Sequence, residues 1–204
     1  MTITALRQTS SDRVTVELED GSEIKSSLGV VTDWRLFSGK TLDEEELAAL
    51  KRDSSRSLAR DRALELISRR LMSRKEVRDK LTQKGVDEDA ANYSVNWLAD
   101  HGFLNDESYA AAIARHYAAK GYGAGRVRSE LSRRGVDREL WDEAVENMPE
   151  ADGKLDKFIA ARLKDPADRD QIRKVSTALF RRGYSWEQIR TALRRYTDEI
   201  IEDE

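Results

Sequence analysis

Three stretches of the chain share one pattern: valine, leucine four residues later, then a basic residue, glycine, an apolar residue and a residue able to cap a helix. They are Val77 and Leu81 with Lys84-Gly85-Val86-Asp87, Val127 and Leu131 with Arg134-Gly135-Val136-Asp137, and Val175 and Leu179 with Arg182-Gly183-Tyr184-Ser185. The glycines stand about 50 residues apart, a period that marks repeat arrays. An amphipathic helix precedes each copy (Leu64/Ile67/Leu71, Tyr109/Ile113/Tyr117, Leu155/Phe158/Ile159/Leu163), and another follows it (Ala91/Val95/Leu98, Trp141/Ala144/Val145/Met148, Ile189/Leu193/Tyr196). One such unit buries too little apolar surface alone, so neighbours must stack. The expectation is a mainly α fold, with tandem three-helix repeats over 58–100, 101–149 and 150–204 forming an elongated, curved array.

Residues 1–40 follow a different period. Val14, Val16 and Leu18 alternate with Thr15 and Glu17, as in a half-buried strand, and Ile3-Thr4-Ala5-Leu6 is a second apolar run. Asp20-Gly21 supplies a turn, and Glu23-Ile24-Lys25 returns as a partner strand, giving a small hairpin-like β element. A linking helix over 41–57 opens on a Thr41/Glu44 capping box and stops near Arg52, with Asp53-Ser54-Ser55 as a break before the next helix at Leu58. A second box, Ser73/Glu76, starts a short helix that Gly85 ends, and Asp87 caps its successor.

Chemistry-bearing constellations are scarce. The chain has no cysteine, which removes disulfides, thiolate catalysis and Cys-based metal sites. His101 and His116 are the only histidines; His101, before Gly102, reads as a helix C-cap. The carboxylate pairs Asp87/Asp89, Asp142/Glu143 and Asp198/Glu199 read as capping groups or solvated faces. These features point to a non-enzyme without metal or cofactor. The start of the chain lacks the layout of a secretory signal, and no apolar run approaches a membrane span, so a soluble cytoplasmic protein is expected.

Charge carries more information. Net charge is only −3, from 36 Lys and Arg against 39 Asp and Glu, whereas a free-standing DNA binder usually shows a large positive excess. Five basic residues face ten acidic ones up to position 50, leaving 31 against 29 over 51–204. The acidity is thus concentrated in the β element, and the helical part carries local clusters of cations. Lys84, Arg133, Arg134, Arg181 and Arg182 adjoin the repeat glycines, where cations complement a helix C-terminus and need no partner. Arg69, Arg70, Arg74, Arg78, Arg126 and Arg128 exceed what capping requires. The turn Lys120-Gly121-Tyr122-Gly123-Ala124-Gly125-Arg126 is either a plain connection or a set of free N–H groups for phosphate or carboxylate. Tyr93 and Trp97 lie off the apolar stripe of their helix, half exposed and available for a partner.

The chain resembles the RecX family, regulators of the bacterial recombinase RecA. The resemblance rests on Ala63-Leu64 with Leu71, Ser73-Arg74-Lys75-Glu76-Val77 through Leu81, Lys84-Gly85-Val86, Gly102-Phe103-Leu104-Asn105-Asp106-Glu107-Ser108-Tyr109-Ala110, Gly125-Arg126-Val127-Arg128-Ser129-Glu130-Leu131 and Arg134-Gly135-Val136. It spans about 58–196, with Tyr109 standing where the family often has Phe. It implies a protein that binds RecA, lodges in the groove of the RecA filament on single-stranded DNA, and restrains strand exchange, ATP hydrolysis and coprotease activity. It also implies a role in regulating DNA repair, recombination and the SOS response. The candidate contact residues are Arg69, Arg70, Arg74, Lys75, Arg78, Lys84, Arg126, Arg128, Arg133, Arg134, Arg181 and Arg182. The expected form is a monomer with no membrane contact. Two alternatives are a helical-repeat module that binds DNA directly, independent of RecA, and a protein-interaction scaffold whose cations only cap helices.

Overall fold

The alternation of Val14, Val16 and Leu18 does build a strand, and it lies at the centre of a sheet. In the computed structural model, β1 (Ile3–Ser10), β2 (Arg13–Leu18) and β3 (Glu23–Ser27) form an antiparallel meander in the order β1-β2-β3. Val16 pairs with Leu6 on one side and Ile24 on the other. Gly21, at φ +79°, makes the β2–β3 turn that Asp20-Gly21 announces. The structure describes residues 1–149 and 153–202, with side chains to 197. Residues 150–152, the expected junction of the last two repeats, and the Asp198/Glu199 side chains lie outside this description.

Met1–Asn105 form one unit. After β3 come α1 (Leu28–Asp33), α2 (Glu44–Arg69), α3 (Arg74–Gln83) and α4 (Glu88–Asp100). The expected break at Asp53-Ser54-Ser55 is absent: α2 runs unbroken for 26 residues. Those three residues have partners on other elements instead. Asp53 accepts from the Trp34 indole at 3.1 Å, and Ser55 donates to Asp87. Ser54 is buried with its hydroxyl 2.9 Å from that of Ser26, and Ser57 lies 2.8 Å from Ser27. Small side chains let the helix approach β3 closely, and the paired hydroxyls satisfy one another where water is excluded. The helix start also differs from expectation. Asp43 and Glu46 form the capping box, while Thr41 bridges to Thr2 beside the sheet. A carboxylate two residues on accepts the free N–H groups and complements the positive helix end.

The continuous helix serves two cores. Leu50 packs with Ile3, Val16, Leu18 and Ile24 beneath the sheet, and Ala63 packs with Val77, Leu81, Val95 and Leu98 in the first repeat. Leu71, expected on the buried stripe, is 66% exposed because α2 has ended; Met72 fills the core in its place. Replacing Ser54 with valine should cost about 1–3 kcal/mol, since it overfills the helix–sheet contact and strands the Ser26 hydroxyl. Urea denaturation followed by far-UV circular dichroism reads that loss.

Asp106–Glu204 form the second unit. It contains α5 (Asp106–Ala119), α6 (Ala124–Arg133), α7 (Glu139–Glu146), α8 (Lys154–Arg162), α9 (Arg169–Arg181) and α10 (Trp186–Glu202). One core gathers Tyr109, Ile113, Val127, Leu131, Val136 and Ala144; another gathers Ile159, Leu163, Val175, Leu179, Tyr184 and Ile189.

The threefold pattern now has a mechanical meaning. In each copy the valine and leucine are buried, and the glycine takes a left-handed conformation, at φ +79° for Gly85, +66° for Gly135 and +89° for Gly183. The amide after each glycine donates back to the core leucine: Val86 to Leu81 at 3.1 Å, Val136 to Leu131 at 3.0 Å and Tyr184 to Leu179 at 3.3 Å. This is the glycine-ended helix stop in which an apolar residue folds under the last turn. Asp87 caps α4, and Ser185 forms a reciprocal box with Gln188. Asp137 departs from the pattern. The N-cap of α7 is Arg138, without a side-chain cap, and Asp137 contributes its carbonyl to the Leu140 amide at 3.1 Å.

Candidate interaction surfaces

The expected contact residues fall into three structural roles. Around α3, Arg74, Lys75, Arg78 and Lys84 all lie exposed. Lys75 pairs with Asp79 one turn on, while Arg78 and Lys84 have no ion pair among the described residues. Arg69 pairs with Glu65 on α2, and Arg70 reaches the Leu71 carbonyl at 2.9 Å and Glu76 at 3.1 Å. Arg69 and Arg70 thus carry surface ion pairs, which solvent screens strongly.

On α6 the arginines serve the fold. Glu130 is 4% exposed, yet its carboxylate is surrounded by cations. Arg126 donates to one oxygen at 2.9 Å; Arg133 donates twice to the other, at 2.6 and 3.1 Å, and Arg134 stands 3.5 Å from that second oxygen. Arg134 also donates to the Tyr109 hydroxyl at 2.7 Å, tying α6 to α5. Burial pushes the Glu130 pKa up, but the Arg133 hydrogen bond and charge, with the charge of Arg126, outweigh it and hold the group below the usual glutamate range. Arg128 pairs with Asp142 at 2.9 Å and joins α6 to α7.

Arg182 and the glycine-rich turn hold the last repeat against the one before it. The Gly123 amide donates to the Arg182 carbonyl, and the Gly125 amide to the Gly183 carbonyl, each at 2.9 Å. Of the two readings of this turn, the plain connection fits: the Gly123 and Gly125 amides are used internally. The backbones approach so closely that a Cβ on Gly123 would lie 2.4 Å from the Gly183 oxygen, and one on Gly183 only 2.1 Å from the Arg126 nitrogen. Arg182 lies over the Tyr122 ring at 5.1 Å and the Phe158 ring at 4.5 Å, and Lys154 donates to the Ala119 carbonyl at the end of α5. Arg181, next to Arg182, stays exposed.

Tyr93 and Trp97 are partly covered by cations. Arg56 lies 4.5 Å over Tyr93 and Arg60 4.9 Å over Trp97, with the His101 ring stacked on Trp97 at 4.0 Å. His101 is also the C-cap residue of α4. No helix of the described residues is long and apolar enough to cross a membrane.

Three family models match in order: the first three-helix domain of RecX over 59–98, the second over 105–145 and the third over 159–193. The chain belongs to the RecX family. Regulatory protein RecX of Xanthomonas axonopodis pv. citri is 37% identical over 158 residues, covering 75% of this chain and 97% of its own length. A crystal structure of regulatory protein RecX shares the fold with a TM-score of 0.73 at 22% identity, over 97% of this chain and 98% of its own. The crystal structure of RecX from Lactobacillus salivarius gives a TM-score of 0.62 at 25% identity, over 70% of this chain and 97% of its own. RecX relatives are named as regulatory proteins, and this chain shares that regulatory role.

Neither the Glu130 cluster nor the serine pairing on α2 follows from the expected contact list. Glu130 was readable in principle, since Arg126 and Arg134 sit four residues to either side of it and Arg133 three residues on. The serines carried no comparable signal.

Proposed function

We infer that this chain binds RecA on single-stranded DNA and restrains its recombinase, ATPase and coprotease activities, regulating DNA repair. On this reading it acts in the cytoplasm as a monomer, without a cofactor and without catalysing a reaction. The observation that carries the reading is the ordered match of all three RecX three-helix domains within one chain. Arg78 and Lys84, exposed beside the first repeat's cap, supply cations without an ion pair among the described residues. These two are the best test positions, because Arg126, Arg133 and Arg134 are bound into the Glu130 cluster and Arg182 into the repeat junction.

The purified protein is expected to suppress the single-stranded-DNA-dependent ATPase of RecA at substoichiometric ratios. Reversing Arg78 and Lys84 together to glutamate should weaken inhibition roughly tenfold, with helicity unchanged. Full inhibition by that variant moves the contact surface elsewhere. No effect of excess protein on RecA, together with tight, salt-sensitive binding to naked DNA, would replace this reading with direct DNA binding.

A further inference from the structure

We propose that the face shared by α6, α9 and the start of α10 is a docking site for an acidic protein segment carrying an apolar side chain. The proposal rests on the reading that the chain works by docking on a protein partner. Two observations point to this face.

The first is its charge. A recess of about 480 Å³ is lined by Arg126, Arg128 and Arg181 with Phe180, and a second recess of about 400 Å³ along α9 is lined by Arg173, Lys174 and again Arg181. Among the described residues no carboxylate lines either recess, although acidic residues outnumber basic ones in the chain. The two recesses share Arg181 and so form one basic track beside α9.

The second is an exposed aromatic step on the same face. Phe180 lines the larger recess and stacks on Trp186 at 4.9 Å with an interplanar angle of 17°. The rings remain 50% and 51% exposed, although neighbouring Leu179 and Ile189 are buried. The repeat fold does not need these rings in its core. An exposed tryptophan among arginines is the composition that anchors protein interfaces.

The pairing of the cations selects a protein over a nucleic acid. Arg126 is bound to Glu130, Arg128 to Asp142 and Arg173 to Asp170, which leaves Arg181 and Lys174 without an ion pair among the described residues. A nucleic-acid strand carries a phosphate at every nucleotide and calls for a continuous track of unpaired cations. Two cations without an ion pair, along α9 beside an aromatic step, match a short acidic stretch with one apolar anchor. Carboxylates of the segment would meet Arg181 and Lys174, and its apolar side chain would cover Phe180 and Trp186.

The test uses the full chain and a fluorescein-labelled synthetic peptide of alternating aspartate and glutamate interrupted by one leucine, followed by fluorescence anisotropy. Binding should weaken as salt rises. It should fall about tenfold in Arg181→Glu and in Trp186→Ala, and persist in Lys51→Glu, an equal charge change on α2. Arg181→Gln, a milder change at an exposed position, keeps the test open if Trp186→Ala fails to fold. Absence of peptide binding overturns the proposal, as does binding that none of the α9 and α10 variants alters. Binding of an oligothymidylate in place of the peptide, with the same sensitivity to Arg181, also overturns it in favour of a nucleic-acid site. RecA ATPase assays on the same variants separate the two readings. Inhibition that survives without peptide binding removes this surface and leaves the RecA reading intact, whereas peptide binding without any RecA effect does the reverse.

Discussion

Alanine at Gly123 should detach the last repeat from the one before it. Gly123 has φ −86°, which any residue adopts, so the cost arises from the added Cβ, placed 2.4 Å from the Gly183 oxygen. Backbone cannot yield as a side-chain tip does, and the two amide bonds from Gly123 and Gly125 must lengthen together. Overfilling of this kind costs about 1–3 kcal/mol, and losing both hydrogen bonds adds roughly 1 kcal/mol each. Gly85→Ala is the natural comparison. Its φ of +79° is unfavourable for alanine, but nothing lies within 4 Å, so only the conformational cost of about 1–2 kcal/mol applies. Hydrogen exchange at the Gly123 and Gly125 amides should rise sharply in Gly123→Ala and stay near wild type in Gly85→Ala. Equal protection in all three proteins would mean that the two carbonyl contacts do not hold the repeats together.

Removing the Glu130 carboxylate should be the most damaging change within α6. In Glu130→Ala, Arg126, Arg133 and Arg134 are left facing one another around a vacated buried position. Breaking a buried ion cluster on one side costs about 3–5 kcal/mol; the lower figure fits here because Arg126 and Arg133 remain in contact with water. The pH dependence has a definite sign. Glu130 titrates below its ordinary value in the folded protein, so its contribution is complete above the unfolded glutamate pKa, about 4.3, and disappears as pH falls through the lower folded value. Glu130→Gln should be less stable than wild type at pH 7, and the gap should narrow below about pH 4. Chemical denaturation at pH 7, 5 and 3.5 resolves this, and a gap that stays constant would show that the carboxylate's charge contributes nothing.

The repeats were legible because what defines them is local. A left-handed glycine, the apolar residue after it and the leucine five positions before it lie within one turn and its cap, so their spacing carries the whole instruction. The misread features depend on distant partners. Asp53-Ser54-Ser55 has the composition of a helix break, since short polar side chains compete for local backbone groups. Here Ser26, Trp34 and Asp87 occupy those side chains, and none of them is near in sequence. The turn at 121–125 leaves two readings open from sequence because the acceptors of the Gly123 and Gly125 amides, the carbonyls of Arg182 and Gly183, lie some sixty residues later. Among the candidate contacts, the sequence marked where cations gather. It did not separate Arg126, Arg133, Arg134 and Arg182, which are engaged inside the fold, from Arg78, Lys84 and Arg181, which face solvent without an ion pair among the described residues.

The uninterrupted helix α2 makes a spacer of fixed length and fixed phase. Its 26 residues span about 39 Å at a rise of 1.5 Å each. Its middle is pinned to β3 through Ser54 and Ser57, and the turns that follow are packed into the first repeat through Ala63. A molecule gripping the sheet and another gripping the first repeat would be held at one separation and one rotation about the helix axis. One residue inserted between Ser57 and Ala63 would advance Ala63 by about 1.5 Å and turn it by roughly 100° relative to Ser57. The β element is thus keyed to the first repeat as a cog is keyed to a shaft.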